Sequence, residues 1–249
     1  DRLLIGGLLE RVTAVLPLQV TEQRIIASIS PNAKTIIVPN GVTMPSAGKM
    51  WTIDALSQRS VLFLGRLHPH KRVMFFIEAA RLLMESGNRI RFRIVGPDEG
   101  DLSRAQQRVR ECSLENSVKF VGPLGHDQVA EEFVSASLYV LSSLNEAFPM
   151  TLLEAMALGV PTIVTEGIHI RELLERHQAA MVVQPNPQSI AAGILELLAK
   201  PDLATMLSKN GRRLVANELT IDKVVTRLET IYQGAHPDVS STFTHAVIG

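Results

Sequence analysis

Residues 60–96 read SVLFLGRLHPHKRVMFFIEAARLLMESGNRIRFRIVG, and this stretch decides the fold. The run at 60–65 is apolar, of strand length, and closed by a glycine. Residues 73–86 then carry Phe76, Ile77, Ala80, Leu83 and Met84 at helical spacing. Residues 89–96 alternate strictly, which puts Ile90, Phe92 and Ile94 on one face and Arg89, Arg91 and Arg93 on the other. Two strands joined by a helix-length crossover pair in parallel.

The same alternation continues outward. A polar helix covers 102–112, and further strands read at 118–121, 138–142, 162–165 and 180–183. Helical patterns fall near 127–136, 150–158 and 170–177, and two or three more helices follow Pro187. Six strands separated by helices predict an α/β domain, a parallel sheet with helices on both faces. Ligands of such sheets bind outside the carboxyl ends of the strands. The loops at 65–71, 96–100, 122–126, 142–150 and 165–169 therefore hold the candidate chemistry.

Residues 1–45 fit this unit poorly. They show a helical start, an apolar run at 12–18, a second helical pattern from Thr21, and TIIVPNGV at 35–42. That pattern predicts the last βαβ piece of a preceding domain, with Asn40-Gly41 as the turn out and 45–49 as a linker. Residues 46–221 form the main domain, 222–235 a closing helix, and 236–249 a loose polar tail. The chain opens on Asp1, which leads to the expectation of a longer polypeptide.

Charge and composition narrow the function classes. The 249 residues carry 25 basic and 25 acidic side chains, so the electropositive excess of a dedicated nucleic-acid binder is missing. One cysteine, Cys112, forms no internal disulfide, and a cytoplasmic setting is expected. No apolar run reaches the ~20 residues of a membrane span. His68 and His70 have no cysteine or carboxylate neighbour in sequence, so no metal site is predicted there.

Two groups of residues stand out. In GRLHPHK, Arg66 follows a strand and Lys71 precedes a helix, so a guanidinium and an ammonium reach the rim where phosphates bind. Solvated surface cations are the plain alternative. In LNEAFPMTLLEAMALGVP, residues 144–161, Glu146 precedes a helix and Glu154 lies on its opening turns. Thr151 and Glu154 have the spacing of a capping box, which accounts for Glu154 structurally. The functional alternative uses both carboxylates. A helix start between them would receive a phosphate, and each would grip hydroxyls at one end of an elongated ligand.

GRLHPHK, the loop after RIVG, KFVGPL, LYVLSSLNEAFPMTLLEAMALGVPTIVTEG and MVVQPNPQSIAAGILELL occur in that order. Together they resemble the C-terminal domain of GT-B glycosyltransferases, specifically retaining glycosyltransferase family 4 (glycosyl transferases group 1). The resemblance spans about residues 20–234. It implies a Rossmann-like donor-binding domain with a remnant of the N-terminal domain, and a final helix crossing back to that domain. Glu146 and Glu154 match the family's two glutamates seven residues apart: the first would hold donor-sugar hydroxyls, the second the ribose. Arg66 and Lys71 match the diphosphate-binding positions, and with Glu146 form the expected catalytic set. Gly65, Phe148, Met150 and Thr151 would line the donor, and Leu124 would lie against the nucleobase.

The implied reaction moves a sugar from a nucleoside diphosphate to a hydroxyl-bearing acceptor such as a carbohydrate, with retention and without metal or cofactor. The resemblance further implies that the acceptor site lies on the missing N-terminal domain, through which peripheral membrane contact could also occur. A poor catalyst alone is therefore expected. Two departures bear on the loops. Pro149 replaces a frequent glycine and removes a backbone donor. Ile168–Glu172 replaces a frequent pair of glycines followed by Ile-Pro-Glu, leaving His169 either touching the sugar or filling space. The rival readings are a non-catalytic nucleotide-sugar-binding or regulatory subunit, and a nucleotide-sugar 2-epimerase of the same fold. A dinucleotide-dependent dehydrogenase is disfavoured, because no G-x-G-x-x-G follows any strand.

Overall fold

The computed structural model describes residues 2–45, 48 and 50–235. The anticipated linker at 45–49 lies partly outside the described residues, and the tail from 236 wholly so. The chain divides into two compact units, one built from Asp1–Thr43 with Glu218–Gly249 and the other from Met44–Asn217.

The first unit begins with α1 (Arg2–Arg11) and α2 (Val20–Ile29). On either side of α2, Val15 and Thr35 form a parallel bridge. The amide of Val15 donates to Lys34 O at 2.8 Å and that of Ile36 to Val15 O at 3.0 Å.

The second unit alternates without exception through its sheet: β1 (Ser60–Leu64), α3 (Val73–Glu85), β2 (Arg91–Val95), α4 (Leu102–Glu111), β3 (Val118–Gly122), α5 (His126–Ser135), β4 (Leu138–Leu141), α6 (Met150–Ala157), β5 (Thr162–Thr165), α7 (Arg171–His177) and β6 (Met181–Val183). Two helices follow, α8 (Pro187–Ala199) and α9 (Pro201–Glu218). All neighbouring strands are parallel, in the order β3-β2-β1-β4-β5-β6, with helices on both faces. This is the Rossmann-like α/β architecture that the alternation predicts.

Burial explains why the central strands are mostly apolar. All five residues of β1 and all four of β4 and β5 are buried, as a sheet covered on both sides requires. Phe76 of α3 seats its ring 5.7 Å from Phe63 and 5.6 Å from Phe92, pinning the helix over β1 and β2. Between β1 and β3, strand β2 keeps the alternation read from sequence: Phe92 and Ile94 are buried while Arg91 is exposed.

Strand order reverses between β1 and β4, so the chain leaves these adjacent strands in opposite directions and opens a crevice at their carboxyl ends. Beside it the loops after β1 and β2 close on each other. Leu67 bridges Asp98 in parallel, and Gly96 has φ +140°; a Cβ there would fall 2.0 Å from Gly65 O. Only glycine permits that approach.

The last helix, α10 (Ile221–Ala235), groups with the first unit. The Val42 amide donates to Leu219 O at 2.9 Å and the Ile221 amide to Val42 O at 3.1 Å. The sheet-bearing unit runs from Met44 to Asn217. No helix among the described residues is long and apolar enough to cross a membrane.

Candidate active site

Lys71 and Glu146 lie 75 positions apart in the chain, and the fold joins them as an ion pair between the loops after β1 and β4. Their side chains are only 14% and 18% exposed, so the pair sits in the crevice and is not a surface contact. Backbone hydrogen bonds hold the two loops together. Ser142 Oγ donates to Lys71 O at 2.9 Å, and the Leu144 amide to His70 O at 2.8 Å. Gly65 lies beneath this pair; a Cβ on it would meet the Lys71 stem at 3.8 Å. The second carboxylate oxygen of Glu146, Oε2, is buried and has no hydrogen-bond partner. A buried carboxylate oxygen without a donor is costly, and a ligand hydroxyl would satisfy it.

The loop carrying Glu146 is fixed from the other side by the loop after β5. Glu146 bridges Ile168 in parallel, its amide donating to Gly167 O at 3.2 Å and its carbonyl accepting from the His169 amide at 2.9 Å. His169 Nε2 lies 2.7 Å from Asn145 Oδ1, and Asn145 adopts φ +57°. His169 thus braces the loop through Asn145.

At the start of α6 the structure corrects one expectation. Thr151 does not cap the helix, and no capping box with Glu154 forms. The cap position is Pro149, which supplies no side-chain hydrogen bond, and Thr151 lies inside the helix. Its Oγ1 is instead 2.9 Å from the hydroxyl of Tyr139, which also donates to Leu64 O at 3.1 Å. The opening amides of α6, at Met150 and Thr151, are left without the intrahelical partners that later residues have. They face neither a capping side chain nor an acidic first turn. Phe148, in the approach to the helix, is buried.

Glu154 is half-buried on the first turns of α6, and burial pushes its carboxyl above the usual carboxylate range, while the charge of His126 pulls it back. His126 opens α5, so the loop after β3, which also carries half-buried Leu124, approaches Glu154. Arg66 stands apart from the Lys71 pair: it is 63% exposed, and its Nη1 contacts Glu99 Oε2 at 2.9 Å, in the loop after β2. The structure therefore brings Lys71, Glu146 and the α6 start into one crevice, with Glu154 further along α6 and Arg66 on a flanking loop.

Three participants escaped the sequence reading. Tyr139 looks like one more apolar strand residue, yet it is fully buried with its hydroxyl under the α6 start. Burial raises its pKa far above the ordinary tyrosine value. Glu99, in the loop after β2, and His126, the first residue of α5, carry no local signal beyond following strands. A second cleft, about 610 Å³, opens on the opposite rim among Ser60, Arg91, Arg93, Lys119 and Glu132. Its cations already have partners: Arg93 pairs with Glu132, Arg91 with Gln58, and Lys119 with Glu115 O.

A crevice at the strand-order reversal, here holding the Lys71–Glu146 pair, is where doubly wound α/β domains take their ligands. Similar architecture occurs in the solved Anabaena HepE in complex with UDP, with a TM-score of 0.80 at 18% identity over 94% of this chain and 67% of that one. Among curated proteins, mannosylfructose-phosphate synthase of Agrobacterium fabrum is 37% identical over 182 residues, 70% of this chain and 40% of its own length. The amylovoran biosynthesis glycosyltransferase AmsK of Erwinia amylovora is 29% identical over 185 residues, 71% of this chain and 45% of its own. The family model for glycosyl transferases group 1 matches residues 54–214, and the chain belongs to that family. It spans about half the length of the curated relatives it matches.

Proposed function

We propose that this chain supplies the donor site of a retaining glycosyltransferase of family 4, which moves a sugar from a nucleoside-diphosphate sugar to an acceptor hydroxyl. The observation that carries the reading is the Lys71–Glu146 pair beside the uncapped α6 start, in the crevice between β1 and β4. An elongated donor would lie across it. Its diphosphate would meet Lys71, Arg66 and the Met150 and Thr151 amides; sugar hydroxyls would donate to Glu146, whose Oε2 lacks a donor. Ribose hydroxyls would reach Glu154, and the base would lie near Leu124.

Bond breaking at the anomeric carbon places negative charge on the departing diphosphate. Lys71, Arg66 and the helix start would stabilise that charge as it develops, and one such donor is worth roughly 3–4 kcal/mol, or 10²–10³ in rate. Gly65 and Phe148 shape the floor on which the diphosphate and sugar rest. Residues of the first unit would complete an N-terminal domain that presents the acceptor, so the 249 residues bind donor but transfer slowly by themselves.

Calorimetric titration with UDP, GDP and ADP tests the donor site. One of the three should bind the wild-type chain, and Lys71→Ala should weaken that binding about tenfold or more, as for loss of a charge-assisted contact. Unchanged affinity in Lys71→Ala would remove the diphosphate assignment.

A further inference from the structure

The two cations assigned to the diphosphate differ in what holds them. Lys71 is paired with Glu146, which has its own place in the donor site. Arg66 is paired with Glu99, which has none. Arg66 Nη1 lies 2.9 Å from Glu99 Oε2 and 3.2 Å from Oε1, so one guanidinium nitrogen is held by both carboxylate oxygens.

Glu99 does not reach this position by chance of a floppy loop. The Leu67 amide donates to Pro97 O at 2.8 Å, and Leu67 O accepts from the amides of Glu99 at 3.2 Å and Asp101 at 3.0 Å. Asp98 Oδ1 accepts from the amides of Gly100 at 2.8 Å and Leu102 at 3.1 Å. Gly96 lets the whole turn close onto Gly65. The residue following Arg66 and the residue preceding Glu99 form a strand-like bridge, so both side chains rise from one backbone platform. The entropy of bringing the pair together has largely been spent in folding.

Resting on the donor-site reading above, we propose that Glu99 is an affinity-setting residue: an internal carboxylate that competes with the ligand's diphosphate for Arg66. Binding must break the Arg66–Glu99 contact, so the observed affinity is lowered by what that contact is worth. After transfer the freed terminal phosphate carries more negative charge than it did in the donor, and the grip of Arg66 on it grows. Glu99 retakes Arg66 and limits that grip, which favours release of the nucleoside diphosphate over its retention.

The test is a double-mutant cycle by calorimetry on the full chain, using whichever of UDP, GDP and ADP binds the wild type. Damage to the site weakens binding, so the expected sign is diagnostic: Glu99→Gln tightens the nucleoside diphosphate about two- to fivefold, the range for an exposed ion pair. Glu99→Gln/Arg66→Gln binds no tighter than Arg66→Gln alone. The gain shrinks in 1 M salt, where the screening length falls to about 3 Å. Equal or weaker binding by Glu99→Gln, or the same gain without Arg66, overturns the role of Glu99 while leaving the donor site intact. If none of the three nucleotides binds the folded wild-type chain, the donor-site reading fails and this proposal with it.

Discussion

Replacing Lys71 by methionine removes the ammonium but keeps most of the stem that packs over Gly65. The cost follows from what is left behind. Glu146 is 18% exposed, its Oε2 already has no partner, and its Oε1 would lose Lys71. Exposed pairs are worth about 0.2–1 kcal/mol, and stranding one member of a fully buried pair costs about 3–5 kcal/mol. An 18% exposed carboxylate falls between these, and we expect Lys71→Met to lose about 2–3 kcal/mol at pH 7. Glu146→Gln strands the ammonium in the same way. The double variant strands no charge, so its loss should be smaller than the sum of the singles by about 1–3 kcal/mol.

Urea unfolding followed by tryptophan fluorescence reports on the right unit. The one tryptophan, Trp51, is 8% exposed, and its indole N–H donates to Ala136 O at 3.1 Å, both in the unit that holds Lys71 and Glu146. With a urea slope of about 2 kcal/mol per M, each single variant should lower the midpoint by about 1–1.5 M. Single variants within about 0.5 kcal/mol of wild type, or strictly additive losses, would refute the account of a crevice-buried pair.

Two further outcomes follow from burial. Tyr139 holds its proton because the interior disfavours the phenolate, and Glu146 and Glu154 add to that preference. In Tyr232→Phe protein, no tyrosinate absorbance should appear up to about pH 11 while the chain stays folded, whereas the urea-unfolded chain ionises near pH 10. Because only the unfolded state releases this proton, stability falls as pH climbs past about 10; a native titration near pH 10 would contradict the assignment. Glu154 has a folded pKa raised by burial, so its contribution favours folding below the unfolded value and is lost as pH rises through the folded one. Glu154→Gln should therefore raise the urea midpoint at pH 7, with the gain vanishing below about pH 4. No gain at pH 7 would count against that burial.

Much of the fold was legible in the sequence because its signals are local. SVLFLG has the length and continuous apolarity of a strand covered on both faces, and the 73–86 pattern has the period of a helix lying on it. The alternation of RIRFRIVG shows β2 burying one face while Arg91 stays exposed. Strand ends locate loops, and loops after strands locate a ligand rim, so Arg66, Lys71 and Glu146 fall at candidate positions by spacing, while their joint role with Glu154 rests on the family resemblance. The capping box at Thr151 and Glu154 was misread for a physical reason. Spacing cannot show whether a threonine precedes a helix or lies inside it, and Tyr139 claims the Thr151 hydroxyl from a strand 12 positions away.

The sequence by itself determined that this chain alternates strand and helix and that the sheet is parallel, and from that the strand ends at which a ligand would bind. The tertiary structure alone decided partnerships. It set β1 beside β4, joined Lys71 to Glu146 across 75 residues, and gave Arg66 to Glu99. Periodicity and turn chemistry act over a few residues and are written into the chain. A charge's partner depends on strand order and on what the backbone leaves buried, which appear only when the sheet is assembled.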